Sequence, residues 1–367
     1  MKVTLKDVAT RLELSPTLVS QVLNNKGDLR VAPDTRQRIL DMAMAMNYRP
    51  SASARALATG RTMQIAALAG STGRHVSGQY PDLAGLIDVA GQHDYRVVVL
   101  PLHADGRGVL QLENLVRDRF CDGICLFCDQ LSEEQSRVIQ DHQLPCVVIG
   151  DQPASTLAQD LNEAVRVDFD NYSITYDAVK WLHAQGRGRI AYMYNQGEGD
   201  QSHCIALRSG FRDGIRDFYG EAEPHFEPPI ASDEERLGFL EREEFSAIIV
   251  RHPFNAISWA RLAIEVGRSV PEDFTVLAVA EAYGANAMCM AGWGDIVACS
   301  IHDWRQCARL GGQILLEWIG SGSPPPQRIY YVPPVGPGWA QEVVASLSEA
   351  PFDLALTNPA LRPPPRP

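Results

Sequence analysis

The sequence predicts an N-terminal three-helix helix-turn-helix headpiece with a short hinge helix, followed by an α/β core of two lobes built on parallel sheets. Three observations carry this. Ser15-Pro16 opens a short segment whose apolar residues recur at helical spacing, while its other face carries hydroxyls and amides. From Met63 onward, continuous apolar runs alternate with amphipathic stretches, the pattern of parallel sheets covered on both faces. Charge is also divided. Residues 1–61 hold 10 Lys and Arg against 5 Asp and Glu, net +5, and the remainder holds 23 against 40, net −17. A basic module on an acidic body implies a polyanion partner for the module alone.

The first helix opens at Thr4-Leu5-Lys6-Asp7, a capping-box spacing, and its buried stripe is Leu5, Val8, Ala9 and Leu12. Glu13 and Leu14 make a turn short enough for a helix-turn-helix. Ser15 then caps the second helix and Pro16 takes its first position, where no N–H is missed. Leu18, Val19, Val22 and Leu23 face inward, leaving Thr17, Ser20, Gln21 and Asn24 outward, where amides and hydroxyls reach base edges. Pro33 opens a third helix whose Ile39, Leu40, Ala43 and Met46 close the core. A partnerless helical bundle would show the same packing pattern; the local charge favours nucleic acid.

Pro50 ends that helix, and Gly60 is a stop for the next. Between them lie two turns of small residues, too few to be stable alone in water. This hinge orders only when something receives it, and its single large side chain, Leu57, can wedge between base steps in a minor groove.

The core alternates strands at Ile65–Ala69, Arg96–Leu100, Gly123–Phe127 and Cys146–Ile149 with helices at Leu83–Gln92, Val109–Arg117 and Glu133–Gln140. A second series follows Val165: helices at Ile174–Gln185, Ile205–Phe218 and Ala256–Val266, with strands at Ile190–Tyr194, Ala247–Val250 and Phe274–Val279. The expected domains are a headpiece over 1–48, a hinge over 49–61 and a core over 62–341. Lobe one takes about 62–165 and 292–320, and lobe two about 166–291 and 321–341. A Pro-rich tail over 342–367, ending Pro363-Pro364-Pro365-Arg366-Pro367, is expected to be disordered.

The pieces Leu5-Lys6-Asp7-Val8-Ala9, Leu14-Ser15-Pro16-Thr17, Val19-Ser20-Gln21-Val22-Leu23-Asn24, Thr35-Arg36-Gln37-Arg38-Ile39, Asn47-Tyr48-Arg49-Pro50 and Ala54-Arg55-Ala56-Leu57 resemble the headpiece of the lactose-repressor (LacI/GalR) transcription-factor family. That resemblance implies that Pro16, Thr17 and Gln21 face bases in the major groove. It places Ser20 and Asn24 at phosphates, adds Lys6 and Ser53 as DNA contacts, and sends Ala54 and Leu57 into the central minor groove. Glu13 stands where the family usually has a turn glycine, and Asn25–Val31 is about two residues longer than the family's loop. Downstream, Cys121-Asp122-Gly123-Ile124, Leu144-Pro145, Val167-Asp168-Phe169-Asp170-Asn171, Gly210-Phe211 and Val270-Pro271-Glu272-Asp273-Phe274 resemble the family's periplasmic-binding-protein-like core. The resemblance implies a homodimer on double-stranded operator DNA and a small-molecule effector between the lobes.

The effector loops depart from the family. Its arginine aligns with Leu207, its Asn-Asp pair with His252-Pro253, and its Asp-Asp pair with Ala280-Glu281. A sugar site must pair the sugar's hydroxyls, and buried polar groups left unpaired are costly. An unmodified hexose or pentose is therefore not expected; the effector is a sugar derivative, sugar phosphate or glycoside, or the cleft no longer senses a ligand. Candidate pocket residues are Ser71, Tyr80, Asp151, Asn195, Gln201, His203, His252, Glu281 and Trp304, near the carboxyl ends of strands.

Other classes fit less well. At 367 residues the chain holds two or three domains, and 45% hydrophobic with 21% charged residues is an ordinary globular mix. No apolar run reaches membrane-spanning length, and Met1-Lys2-Val3-Thr4 leads directly into a capped helix, so a cytoplasmic protein is expected, with no membrane partner. A solute-binding protein would call for an export signal and no headpiece. An enzyme would have to use His252 with Glu281, without nucleophile or cofactor, so no catalytic residue, cofactor or metal is expected. The eight cysteines follow no metal or disulfide spacing and read as reduced, largely buried thiols; Gly197-Glu198-Gly199 lacks a third glycine for a dinucleotide loop.

Overall fold

The computed structural model describes residues 3–23, 31–48, 56, 60–70, 83–102, 106–127, 132–150, 165–193, 202–220, 225–227, 232–241 and 244–349. Three helices form the headpiece: α1 (Leu5–Leu12), α2 (Pro16–Leu23) and α3 (Pro33–Ala45). Val8, Ala9, Leu12, Val19, Val22 and Ile39 are its buried core, and Met42, Met46 and Tyr48 pack against it. Leu40 is a correction to the expected core. It is 41% exposed, because the inward face of α3 runs through Ile39, Met42, Ala43 and Met46 instead.

The first sheet uses β1 (Gln64–Gly70), β2 (Arg96–Leu102), β3 (Gly123–Phe127), β4 (Cys146–Ile149) and β5 (Val165–Phe169). Helices α4 (Ala84–Gln92), α5 (Gly106–Arg117) and α6 (Glu133–Asp141) connect its strands. The second sheet uses β6 (Ile190–Met193), β7 (His225–Glu227), β8 (Ala247–Arg251), β9 (Thr275–Glu281) and β10 (Val297–His302). With it go α7 (Asn171–Ala184), α8 (Ser202–Tyr219), α9 (Asp233–Glu241), α10 (Pro253–Glu265) and α11 (Ala282–Met290). Helix α12 (Trp304–Ser321), strands β11 (Ile329–Val332) and β12 (Val335–Trp339), and α13 (Ala340–Glu349) complete the chain.

The sheet orders are β11-β5-β4-β3-β1-β2 and β12-β10-β9-β8-β6-β7. Every pairing is parallel except β10 with β12. Both orders reverse direction beside the first strand of the lobe, and ligands of open α/β sheets bind beyond the carboxyl ends at that reversal. The apolar runs explain the strands: β3 and β4 are buried throughout, as central parallel strands require.

The chain passes between the sheets three times, after Phe169, after His302 and after Val332. The strands therefore divide differently from the expected lobe bounds. Val165–Phe169 belongs to the first sheet, where Val165, Val167 and Phe169 enter a core shared with Cys307, Ala308 and Leu315 of α12. Val297–His302 belongs to the second sheet, paired with β9, while Ile329–Val332 returns to the first. The expected tail also begins too early. Residues 340–349 form α13, which buries Ala340 and Val343 in the core of lobe two, and residues 350–367 lie outside the described residues.

Candidate nucleic-acid interface and ligand cleft

The headpiece is built by its caps. Thr4 receives the Asp7 N–H at 3.3 Å while Asp7 Oδ2 receives the Thr4 N–H at 2.8 Å, so two orphan donors of α1 are satisfied reciprocally. Ser15 Oγ receives the Leu18 N–H at 3.2 Å, which fixes the start of α2. The turn between them depends on Glu13, whose φ of 57° is left-handed and whose N–H satisfies carbonyls at the end of α1. Burial of Val19 and Val22 then fixes the rotation of α2. Pro16 and Thr17 are left exposed, with Ser20 and Gln21 half-buried; Lys6 is exposed on α1. Thr17 and Gln21, four residues apart, share one helix face.

At the end of the expected hinge, Gly60 donates to the Ala56 carbonyl at 2.8 Å and has a φ of 71°. Arg61 reaches the Ile319 carbonyl of α12 at 2.9 Å, and the next two residues bond to Asp122, so the exit of the hinge is tied to lobe one.

The first two passages meet at His302 and Asn171. Asp170 caps α7 by receiving the Ser173 N–H, and Asp303 caps α12 by receiving the Gln306 N–H, so both passages use one strand–Asp–helix device. His302 Nε2 bonds Asn171 Oδ1 at 3.0 Å, and its ring lies 4.5 Å from Phe169. Trp304 meets Phe169 edge-on at 4.9 Å and covers Gly150. A Cβ at Gly150, whose φ is +97°, would lie 2.4 Å from the indole, so only glycine lets the tryptophan in.

The end of β8 lies two strands from His302 in the second sheet. Arg251 Nη1 approaches Cys204 Sγ at 3.8 Å, and His252 takes a φ of 72° and ψ of 133° at the N-cap of α10, a conformation rarely adopted outside glycine. Burial, with the Arg251 charge added, pushes the His203 imidazole down to about 4. Burial pushes His302 down to about 3, helped by Arg251, His203 and His252, so both rings are neutral at pH 7. Glu281 ends β9 beside His302 in register. Among the described residues no group of three His, Cys, Asp or Glu is placed to hold a metal.

Residues 4–51 match the family described as bacterial regulatory proteins, lacI family. Catabolite control protein A of Priestia megaterium is 26% identical over 286 residues, covering 76% of this chain and 82% of that protein. The headpiece is thus similar to the lacI family. The HTH-type transcriptional regulator RegA of Clostridium acetobutylicum is 29% identical over 188 residues, 51% of this chain and 53% of RegA. In fold, the chain resembles the lac repressor dimer bound to operator and the anti-inducer ONPF, with a TM-score of 0.65 at 19% identity over 91% of this chain and 97% of that one. It also resembles the transcriptional regulator CelR in its cellobiose complex, with a TM-score of 0.56 at 16% identity over 91% and 98%.

The anticipated site residues fall into two groups. Lys6, Pro16, Thr17, Ser20 and Gln21 lie on one module, whereas Asn24, Ser53, Ala54 and Leu57 lie outside the described residues. In the cleft, His252 and Glu281 stand at adjacent strand ends, His203 opens α8, and Trp304 lines the passage between lobes. Ser71, Tyr80, Asp151, Asn195 and Gln201 lie outside the described residues. Leu207 and Ala280 are buried in the second lobe, so neither offers a polar side chain to a ligand. Arg251, His302, Asn171 and Phe169 were missed as site residues. An arginine directly after the apolar run Ala247–Val250 is a local signal that could have singled out Arg251.

Proposed function

We infer that this chain is a sequence-specific DNA-binding transcriptional regulator that acts as a homodimer on a pseudo-palindromic duplex and responds to a small ligand between its lobes. The observation that carries this is the fixed rotation of α2. Its apolar side is locked into the headpiece core and its hydroxyl–amide side is left outward on a basic lacI-family domain. Thr17 and Gln21 read base edges, while Lys6, Ser20 and Asn24 hold the backbone. The hinge residues Ser53, Ala54 and Leu57 occupy the minor groove between half-sites. A bound dimer occludes the duplex, so repression is its simplest mode, and work on DNA places it in the cytoplasm.

Two copies are needed because one headpiece makes few contacts, and tethering supplies effective concentration. Lobe two offers the surface. Phe254, Tyr283 and Met290, on α10 and α11, are 70%, 79% and 84% exposed, and on lobe one Ile87 and Val99 are exposed as well. A ligand acts by favouring one lobe arrangement over another, which shifts the exit of the hinge. Catalysis is not part of this account: His252 and Glu281 line a binding cleft. The test is anisotropy titration of duplexes selected from a random pool, across a range of salt. Affinity falls steeply as salt rises if the basic headpiece anchors phosphates, and a flat response overturns it.

A further inference from the structure

Resting on the reading of this chain as a ligand-controlled DNA-binding regulator, we propose that α12 is the lever of that control, with Trp304 as its input and Arg61 as its output. Trp304 is the first residue of α12 and directly follows the second passage between the sheets. From Trp304 to Ile319 the helix rises about 22 Å. There the Ile319 carbonyl receives Arg61 Nη2 at 2.9 Å. Arg61 immediately precedes the two residues that Asp122 holds, at the exit of the hinge. One helix thus runs from a passage between the lobes to the segment that leads to DNA.

The input end is seated on parts that a lobe movement displaces. The Trp304 indole meets Phe169, the last residue before the first passage, edge-on at 4.9 Å, and lies against Gly150 just past β4. Between its ends the helix has no compliant layer around it. A Cβ at Gly85 of α4 would lie 2.0 Å from the Arg305 carbonyl oxygen, so the two helices touch backbone to backbone. A Cβ at Gly311 would lie 2.4 Å from Ile149, and one at Gly123 would lie 2.8 Å from Leu315, so α12 is pressed as closely onto the sheet. Arg305 and Arg309 both donate to Asp88 of α4, at 3.1 and 2.9 Å. Close-packed interiors have low compressibility and transmit strain. A shift at Trp304 therefore arrives at Ile319, where Arg61 turns it into a shift of the hinge exit.

The test is a double-mutant cycle on operator affinity, using the full chain and the duplex it selects from a random pool. Trp304→Phe shortens the input ring, and Arg61→Gln takes the guanidinium from the Ile319 carbonyl; the lost charge cancels in the cycle. Phe169→Leu disturbs the same input by a second route. Each variant is melted first, and only folded chains enter the cycle. Substitutions this far apart ordinarily combine to within about twofold. The lever predicts that the effects of Trp304→Phe and Arg61→Gln depart from their product by about threefold or more. Phe169→Leu with Arg61→Gln does the same, and Arg61→Lys restores part of the coupling. Val138→Ala, in the core on the opposite face of the first sheet, loosens lobe one away from α12 and multiplies with Arg61→Gln. Effects that multiply for both input variants overturn the lever. Equal coupling of Arg61 to Val138 overturns it too, by assigning the effect to general loosening of the lobe. Failure of the intact chain to select any duplex is a separate outcome, which overturns the regulator reading and this one with it.

Discussion

Asp122 receives Thr62 twice, from its N–H at 2.7 Å and its hydroxyl at 2.9 Å, and its second oxygen takes the Met63 N–H at 2.9 Å. The carboxylate that opens β3 thus fixes the point where the hinge enters lobe one. In the proposed regulation, a movement of the lobes would reach the DNA-binding segments through this point.

Asp122→Ala removes all three acceptor contacts. Hydrogen bonds to a charged group contribute about 1.5–3 kcal/mol, so the variant melts at lower temperature and binds its operator more weakly. Unchanged melting and operator affinity contradict the clamp.

Gln21 lies one turn beyond Thr17 on the outward side of α2. Replacing it with alanine loses roughly 1–3 kcal/mol of discrimination at one base pair of each half-site. Competition between matched and singly altered duplexes measures this. An equal loss on every sequence assigns Gln21 to the backbone instead.

Glu13 carries the left-handed turn between α1 and α2 at a φ of 57°. A non-glycine residue there costs roughly 1–2 kcal/mol, part of which glycine returns through its greater freedom when unfolded. Glu13→Gly therefore stabilises the headpiece by up to about 1 kcal/mol, read by thermal or denaturant melting of the full chain. A lower melting point contradicts strain at this position.

Burial holds His203 at about 4 and His302 at about 3, both below the ordinary 6.5. Below pH 6.5 the unfolded chain takes up protons that these rings refuse, so their contribution is full above that pH and is lost as pH falls. Asp168, raised to about 6 by burial against the pull of Arg166, works in the opposite sense between pH 6 and its ordinary 3.8. Comparing variants cancels that opposing contribution. His302→Gln keeps an N–H for Asn171 and removes one titrating ring, so stability falls less steeply between pH 6 and 4, by up to about 1.4 kcal/mol per pH unit. Identical slopes in denaturant melts contradict a neutral buried His302.

Much of this architecture is legible in the sequence because local physics dictates it. Gly123–Phe127 and Cys146–Ile149 form strands with the expected bounds, since unbroken apolar runs of that length suit a sheet covered on both faces. Ser15 caps α2 because Ser-Pro before an apolar stripe leaves its hydroxyl nowhere better to go. The division of strands between lobes has no local signature: Val165–Phe169 and Val297–His302 read alike, and only the neighbours that accept them differ. His302 and Asn171 are 131 positions apart, so the bond that joins two passages is invisible until the fold brings them together. Leu207 illustrates the opposite case, since replacing a polar position with leucine announces its burial directly.

The central claim is that α2 and the hinge, in two copies, choose the DNA while the acidic body stays clear. In vitro selection from a random duplex pool tests it most directly, comparing the full chain with a chain lacking residues 1–60. The full chain enriches one motif of two inverted half-sites, and the truncated chain enriches none. Enrichment of the same motif by the truncated chain contradicts the account.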